Sequence, residues 1–360
     1  MGKHDISNDE NNLNKKSVQK KVNNKKKKNK HIGLKIFLLL IVALGIFIGV
    51  RLYNANGNIL AAILGHNKET LKNLDKLQVL ILGESTGMSD TIIVASYDPK
   101  LQQASLLSIP RDTFTGDVKS QARYYHKINA LYNSGETPEK TLAAVNKITG
   151  LDIKYYIIVD TEALRKIVDT IGGLDFDVPI DMNYDDGSQD LYIHLTAGYQ
   201  HLNGSQVEQL VRFRHNNNGT SYPFSYANGV EDHGRSKTQR DVIVALAKQT
   251  FQFKNIKEIG NFIDILKEYV DTNMDLNSIK DYLPYAAQMN MSEVKLSSIP
   301  GHDEVVNGIW FFFYDEEGTE EIVNELFHGI TESEDENIDN NTISSDDEKQ
   351  EWAKGYSLLF

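Results

Sequence analysis

Apolar positions in this chain come in three kinds of pattern. From Ile36 to Val50 the run IFLLLIVALGIFIGV carries no charge, and with Ile32 to Lys35 it makes nineteen positions, about the length that spans a bilayer. Beyond it, short unbroken apolar stretches predict buried strands at Leu77–Gly83, Thr91–Tyr97, Ala104–Ile109 and Tyr155–Val159, with more at Leu174–Ile180 and Val294–Ile299. Asp98-Pro99-Lys100 supplies a turn, and Pro110 halts the third strand. Helical spacing predicts helices over Pro138–Ile148, Thr161–Ile171, Gln206–Phe213, Lys237–Phe253, Ile259–Val270 and Leu276–Met289. Strands alternating with helices predict an α/β fold, a mixed central β-sheet covered by helices in a single domain. The boundaries that follow are a basic segment 1–31, a transmembrane helix 32–50, a polar stalk 51–76, the globular domain 77–330 and an acidic, disordered tail 331–360.

Charge sharpens this division. Eleven lysines against Asp5, Asp9 and Glu10 give Met1–Val50 a charge of +8, so the remainder of a chain at −12 carries −20. Lys15–Lys30 precede the apolar run and few basic residues follow it, which by positive-inside asymmetry puts Met1 in the cytoplasm and the domain outside the cell membrane. A cleaved signal peptide is the rival reading, but Ala55-Asn56-Gly57 makes a poor cleavage site. Lysines beside a span meet anionic membrane lipid, and nucleic acid is not expected as a partner. Cysteine is absent, which excludes disulfides, thiolate metal sites and thiol nucleophiles.

Two groups of charged residues carry candidate chemistry. If the first three strands form a meander, Glu84, Asp90 and the pair Arg111-Asp112 fall along one rim of the sheet, although up to 28 positions apart. Two carboxylates and a guanidinium there suit a hard divalent cation beside a phosphate; ordinary solvated loop charges are the alternative. The second group is Arg212 and Arg214 flanking Phe213, followed by Arg235 and Gln239, which share the face of a helix that also buries Val242, Ala245 and Leu246. Residues two apart converge only on extended backbone, so the first helix should fray at Phe213. Free amides at a helix start add to an anion site, while salt bridges to the acidic surface are the competing explanation. His194, His201, His215 and His233 match no zinc spacing, and the chain contains no Gly-rich phosphate loop and no nucleophile elbow.

These residues, in order, are similar to a known family. Val79-Leu-Ile-Leu-Gly83, Ser89-Asp90-Thr91, Ser108-Ile109-Pro110-Arg111-Asp112-Thr113, Lys127-Ile128-Asn129 and Ile167-Val168-Asp169 with Gly172-Gly173 form the first part of the series. Leu202-Asn203-Gly204, Val211-Arg212-Phe213-Arg214-His215, and Gly234-Arg235 with Gln239-Arg240 complete it. Behind a basic leader and one apolar run, the series resembles the LytR-CpsA-Psr family of membrane-anchored cell-envelope proteins of Gram-positive bacteria. The resemblance implies an α/β sandwich with an apolar tunnel, and a phosphotransferase that moves a glycopolymer from a polyprenyl pyrophosphate carrier onto peptidoglycan, releasing polyprenyl phosphate. It implies magnesium as cofactor, with Asp90 and Glu84 as metal ligands and Arg111, Arg212, Arg214, Arg235 and Gln239 around the pyrophosphate. Arg111, Asp112 and Asp90 would be catalytic, with the base either Asp112 or Asp90. Three positions depart from the family pattern: Glu84 replaces an Asp, and Met88 and Thr238 each replace an Arg, which would remove two cations from the clamp. The insertion Asn216–Val230 reads as a lid or acceptor-binding loop, or as a plain surface loop. A polyprenyl pyrophosphate phosphatase and a non-catalytic envelope lipid-binding or regulatory protein are the alternative functions, and the polymer, teichoic acid or capsule polysaccharide, is not legible.

Overall fold

A computed structural model describes residues 32–85, 87–227, 231–250 and 259–328. The basic segment 1–31 and the acidic tail 331–360 lie outside these residues. The chain opens with helix α1 (Ile32–Asn54) and two short helices, α2 (Ile59–Leu64) and α3 (Lys68–Asn73). The meander β1 (Leu77–Ser85), β2 (Met88–Asp98) and β3 (Gln103–Ser108) follows, then α4 (Glu139–Thr149), β4 (Tyr155–Val159) and α5 (Thr161–Thr170). Four short strands come next, β5 (Leu174–Val178), β6 (Met182–Asp186), β7 (Leu191–Leu195) and β8 (Gly198–Leu202), leading into α6 (Gly204–Arg212), α7 (Phe224–Ala227) and α8 (Glu231–Thr250). The rest comprises α9 (Ile259–Tyr269), β9 (Asp271–Thr272), α10 (Ile279–Ala286), β10 (Lys295–Ser298), β11 (Gly301–Val306), β12 (Ile309–Tyr314) and α11 (Glu316–Val323).

The central sheet has six strands in the order β10-β3-β2-β1-β4-β9. It is mixed: β1, β2 and β3 run antiparallel in turn, while β4 lies parallel to β1 and β10 parallel to β3. One face carries Leu80, Leu82, Ile92, Val94 and Leu107 into a core closed by Val145 of α4, Val323 of α11, Phe312 and Phe327. The opposite face meets α5 and α9.

Three two-stranded ribbons, β5–β8, β6–β7 and β11–β12, stand outside the central sheet. The predicted strand at Leu174–Ile180 therefore pairs with β8 rather than with the main sheet. The three apolar side chains of β5, Leu174, Phe176 and Val178, pack in a second core with Val207 and Leu210 of α6 and Val242 of α8. Strands β6, β7 and β8 are not among the predicted elements. Each has only five residues, and β7 buries every second side chain, too short a signal to separate from a polar loop. The segment 51–76 is folded onto the domain: Asn58 caps α2 and donates to the Pro284 carbonyl at 2.7 Å, and Ala55, Ala61 and Leu74 pack with Tyr285.

Local geometry explains several of the sequence motifs. Asp169 accepts a hydrogen bond from the Gly204 N–H at 2.8 Å, and a Cβ at Gly204 would fall on the Arg165 backbone, so α5 and α6 touch main chain to main chain. Asn203 caps α6 by accepting from the Gln206 N–H, and Gln206 answers in a capping box. No helix among the described residues is long and apolar enough to cross a membrane, and in α1 the side chains are described only from Ile41 onward.

Because the α5–α6 contact admits no side chain at position 204, Gly204→Ala should destabilise the fold by about 2 kcal/mol. Urea denaturation would show this as a lower midpoint at unchanged slope.

Candidate active site

The register of β1 against β2 slips at one point: Gly83 faces Thr91, but Glu84 faces Ser89, leaving Asp90 as the extra residue of a β-bulge. Unbroken alternation would send Asp90 to the face of Ile92, in the core. With the bulge, Asp90 and its neighbour Thr91 line the same cavity. Gly83 is needed opposite, since a Cβ there would meet the Thr91 side chain at 2.8 Å.

That cavity, of about 540 Å³, lies between the sheet and α5, α8, α9 and α10. Its wall changes character along its length. On α8 the lining residues run from Arg235 and Gln239 to Val242, Ile243, Leu246 and Ala247; on β1 and β2 they run from Ile81 and Gly83 to Glu84, Ser85 and Asp90. Ile157, Val159, Leu164, Ile167, Leu266 and Leu283 complete the apolar part, and Arg111, Arg212 and Arg214 complete the charged mouth. Seven of the eight predicted site residues thus share one cavity. The α6 helix ends as expected: Phe213 is extended and fully buried, which leaves Arg212 and Arg214 on the cavity side.

The eighth residue, Asp112, does not line the cavity. Its carboxylate accepts from Lys127 Nζ at 2.8 Å and lies 3.9 Å from Arg111 Nε. Turned toward Lys127, it serves Arg111 as a neighbour and does not face the ligand space.

Each charged group at the mouth is held. Arg111 Nη1 donates to Asp90 at 2.5 Å. Arg212 donates to Glu208, one turn earlier on α6, at 2.9 Å, and the other Glu208 oxygen accepts from Arg165 at 2.5 Å. Glu84 accepts from the Tyr132 hydroxyl at 2.8 Å, and burial together with that carboxylate pushes the Tyr132 phenol well above its usual range. Helix α8 grips both sides: Gln239 Nε2 donates to the Val211 carbonyl at 3.1 Å, and Arg240 Nη1 donates to Ser108 Oγ at 2.7 Å. Arg240 is buried, and desolvation lowers its pKa from the ordinary guanidinium value.

Sequence reasoning missed Glu208, Tyr132 and Arg240 as supports. Only Glu208 had a readable signal, its spacing of four from Arg212. The departures at Met88 and Thr238 take nothing from the cavity wall as folded. Neither residue lines it, and Thr238, fully buried, donates to the Gly234 carbonyl and bonds the Tyr226 hydroxyl at 3.0 Å. Among the described residues no group of three or more His, Asp or Glu side chains is placed to hold a metal ion. Three carboxylates line the cavity, Glu84, Asp90 and Asp160, and Asp160 is already engaged as the N-cap of α5, accepting from the Ala163 N–H at 2.7 Å.

A mixed α/β scaffold with a cavity that is cationic at its mouth and apolar within defines a class: proteins built for an anionic head on a greasy tail. A model of the LytR_cpsA_psr family matches residues 8–328, and the chain belongs to that family. It is 27% identical over 317 residues to the polyisoprenyl-teichoic acid–peptidoglycan teichoic acid transferase TagU of Oceanobacillus iheyensis, covering 82% of this chain and 91% of that one. To the corresponding TagV enzyme of Bacillus subtilis it is 28% identical over 307 residues, 79% of this chain and 74% of that one. The crystal structure of B. subtilis TagV superposes with a TM-score of 0.58 at 25% identity, over 71% of this chain and 97% of the other.

The Arg165–Glu208–Arg212 bridge predicts that Glu208→Ala, which strands a mostly buried guanidinium, lowers stability by about 1–3 kcal/mol. Equal urea midpoints for Glu208→Ala and the parent would show the bridge to be solvated.

Proposed function

We propose that the protein is a magnesium-dependent transferase that moves a glycopolymer from a polyprenyl pyrophosphate carrier to a peptidoglycan hydroxyl at the outer face of the cell membrane. The observation that carries this reading is the gradient along one cavity, from four arginines and Gln239 to a wall of Leu, Ile and Val. An isoprenoid tail is all apolar and its diphosphate all charge, so a single elongated cavity with that gradient matches both ends. The TagU and TagV relatives, polyisoprenyl-teichoic acid–peptidoglycan teichoic acid transferases, support teichoic acid or a similar polyanion as the polymer.

In the reaction the acceptor oxygen bonds to the phosphorus that bears the glycopolymer. The bridging P–O bond to the carrier phosphate breaks, the hydroxyl proton goes to a carboxylate, and polyprenyl phosphate leaves. Such a transfer depends on positioning and charge neutralisation more than on covalent chemistry. Arg111 approaches from the sheet, Arg212 and Arg214 from the end of α6, and Arg235 with Gln239 from α8, so the diphosphate is held from three directions. Glu84 and Asp90 would hold magnesium, which keeps most of its water and takes one or two carboxylates with substrate phosphates. Ser89 Oγ, buried in register opposite Glu84 without a hydrogen-bond partner, suits a bound water at that place. When bound, the ion would supply charge neutralisation for the diphosphate. Asp90 faces the cavity and is the nearer candidate for the proton, whereas Asp112 orients Arg111 and Lys127.

The apolar run completes the reading. Helix α1 continues it to Asn54, and Ile46, Phe47 and Val50 each expose about half of their surface (62%, 58% and 53%) with no partner in the domain cores. We place 32–50 in the membrane, the basic leader in the cytoplasm against anionic lipid, and the domain outside.

The full chain in detergent with magnesium should transfer a lipid-linked saccharide to a peptidoglycan oligomer, and Asp90→Ala should abolish transfer without unfolding. Arg111→Ala and Arg235→Ala should each weaken binding of the lipid pyrophosphate roughly tenfold or more. Cleavage with water alone as acceptor would instead make the protein a phosphatase, and tight binding unaffected by a chelator and without turnover would make it a lipid-binding module. Protease added to intact cells should remove everything beyond Tyr53; a protected domain would refute the orientation.

A further inference from the structure

On the Asp112 side of the cavity mouth, a short 3-10 turn at Tyr124–His126 presents two tyrosines to solvent, Tyr124 at 51% and Tyr125 at 64% exposure. The turn is firmly held. The Arg123 N–H donates to His126 Nδ1 at 3.2 Å, and the His126 carbonyl accepts from both Thr115 N (2.8 Å) and Thr115 Oγ1 (3.0 Å). The His126 ring packs edge-on against Phe114 at 5.8 Å. An aromatic ring fixed by its backbone yet left wet has little conformational entropy to lose on meeting a ligand.

Tyr124 is joined to residues that flank the site from two directions. Its hydroxyl donates to Met88 Sδ at 3.4 Å, two residues before Asp90. The Lys127 ammonium lies 5.7 Å from its ring centroid while bonding Asp112 at 2.8 Å. The ring therefore stands outside the cavity mouth between Met88 and Lys127, with about half of its surface open. A pyranose has the matching form, a flat C–H face bordered by hydroxyls. The two rings are too small for a protein interface, which needs roughly 1,000 Å².

We propose that Tyr124, extended by Tyr125, is the platform on which a sugar unit of the acceptor glycan stacks, directing its hydroxyl toward Asp90. The inference rests on the transferase reading of the cavity. With the tail among the apolar residues of α8 and the diphosphate at the arginines, in-line displacement requires the acceptor to arrive opposite the leaving phosphate, from outside the mouth. Asp90, the candidate for its proton, follows by two residues the Met88 that Tyr124 touches, whereas Arg212 and Arg214 approach from α6.

The test measures transfer by the full chain in detergent with magnesium, varying a soluble peptidoglycan oligomer at saturating lipid donor, and then the reverse. Tyr124→Ala should raise the oligomer KM about tenfold and leave kcat and the donor KM within about twofold. Tyr124→Phe, which keeps the ring, should behave as the parent, and Tyr125→Ala should give a smaller rise in the same direction. An unchanged oligomer KM in Tyr124→Ala and Tyr125→Ala overturns the platform, as does an equal loss toward the donor, which would assign the rings to the donor saccharide. Calorimetric titration of the oligomer into the full chain without donor separates the two readings. Binding that is lost in Tyr124→Ala, with no turnover by the parent protein, sinks the transferase and keeps the platform; transfer unimpaired by Tyr124→Ala does the opposite.

Discussion

Several guanidinium groups converge on one small volume, and the rest of the site is arranged around their mutual repulsion. At an effective dielectric near 20, two like charges 4 Å apart repel by about 4 kcal/mol, so an uncompensated cluster would splay open. Here the sheet and α6 bring their own counter-charges. Asp90 answers Arg111 within the sheet, and Glu208 answers Arg212 within α6 while also reaching Arg165 on α5. Arriving anions then exchange places with, or add to, carboxylates that already hold the cations in position. Electrostatic preorganisation of this kind spares the protein reorganisation when charge moves in the reaction.

Helix α8 joins the parts. Its face supplies Arg235 and Gln239 to the mouth and Val242 and Leu246 to the apolar wall, because positions 235, 239, 242 and 246 repeat at helical spacing. Adjacent side chains lock it: Gln239 to the backbone just before Arg212, and Arg240 to Ser108, three residues before Arg111. A shift of α8 would therefore carry Arg235 and Gln239 with it and disturb the anchorage of Arg212 and Arg111. The desolvation of Arg240 is tolerated because one hydrogen bond and the neighbouring Asp241 partly offset it.

A bulge, a main-chain contact and a helix end each convert a motif into geometry. Without the bulge Asp90 would be in the core; without a glycine at 204, α6 would stand away from α5; without a buried Phe213, Arg212 and Arg214 would point apart. These are local features with consequences at a distance. Two of the family departures fall outside this geometry: Thr238 lies off the lining face of α8, and Met88 contacts the Tyr124 hydroxyl.

The α/β class, the meander of β1 to β3 and the main helices were legible along the chain, since apolar periodicity and Gly, Pro and Asn punctuation are local signals. The family was legible as well, because ordered motifs survive without knowledge of their contacts. The five-residue strands β6, β7 and β8 were not, as their pairing partners and buried faces are defined only across the fold. Nor were the supports of the site: Tyr132 is 48 positions from Glu84, and Arg240 is 132 positions from Ser108. Asp112 adjoins Arg111 in sequence yet turns to Lys127, a choice made by side-chain packing. Residue types and order thus decided what chemistry was available, and tertiary structure decided which groups face a common space, because direction and burial are set by contacts that sequence separation conceals.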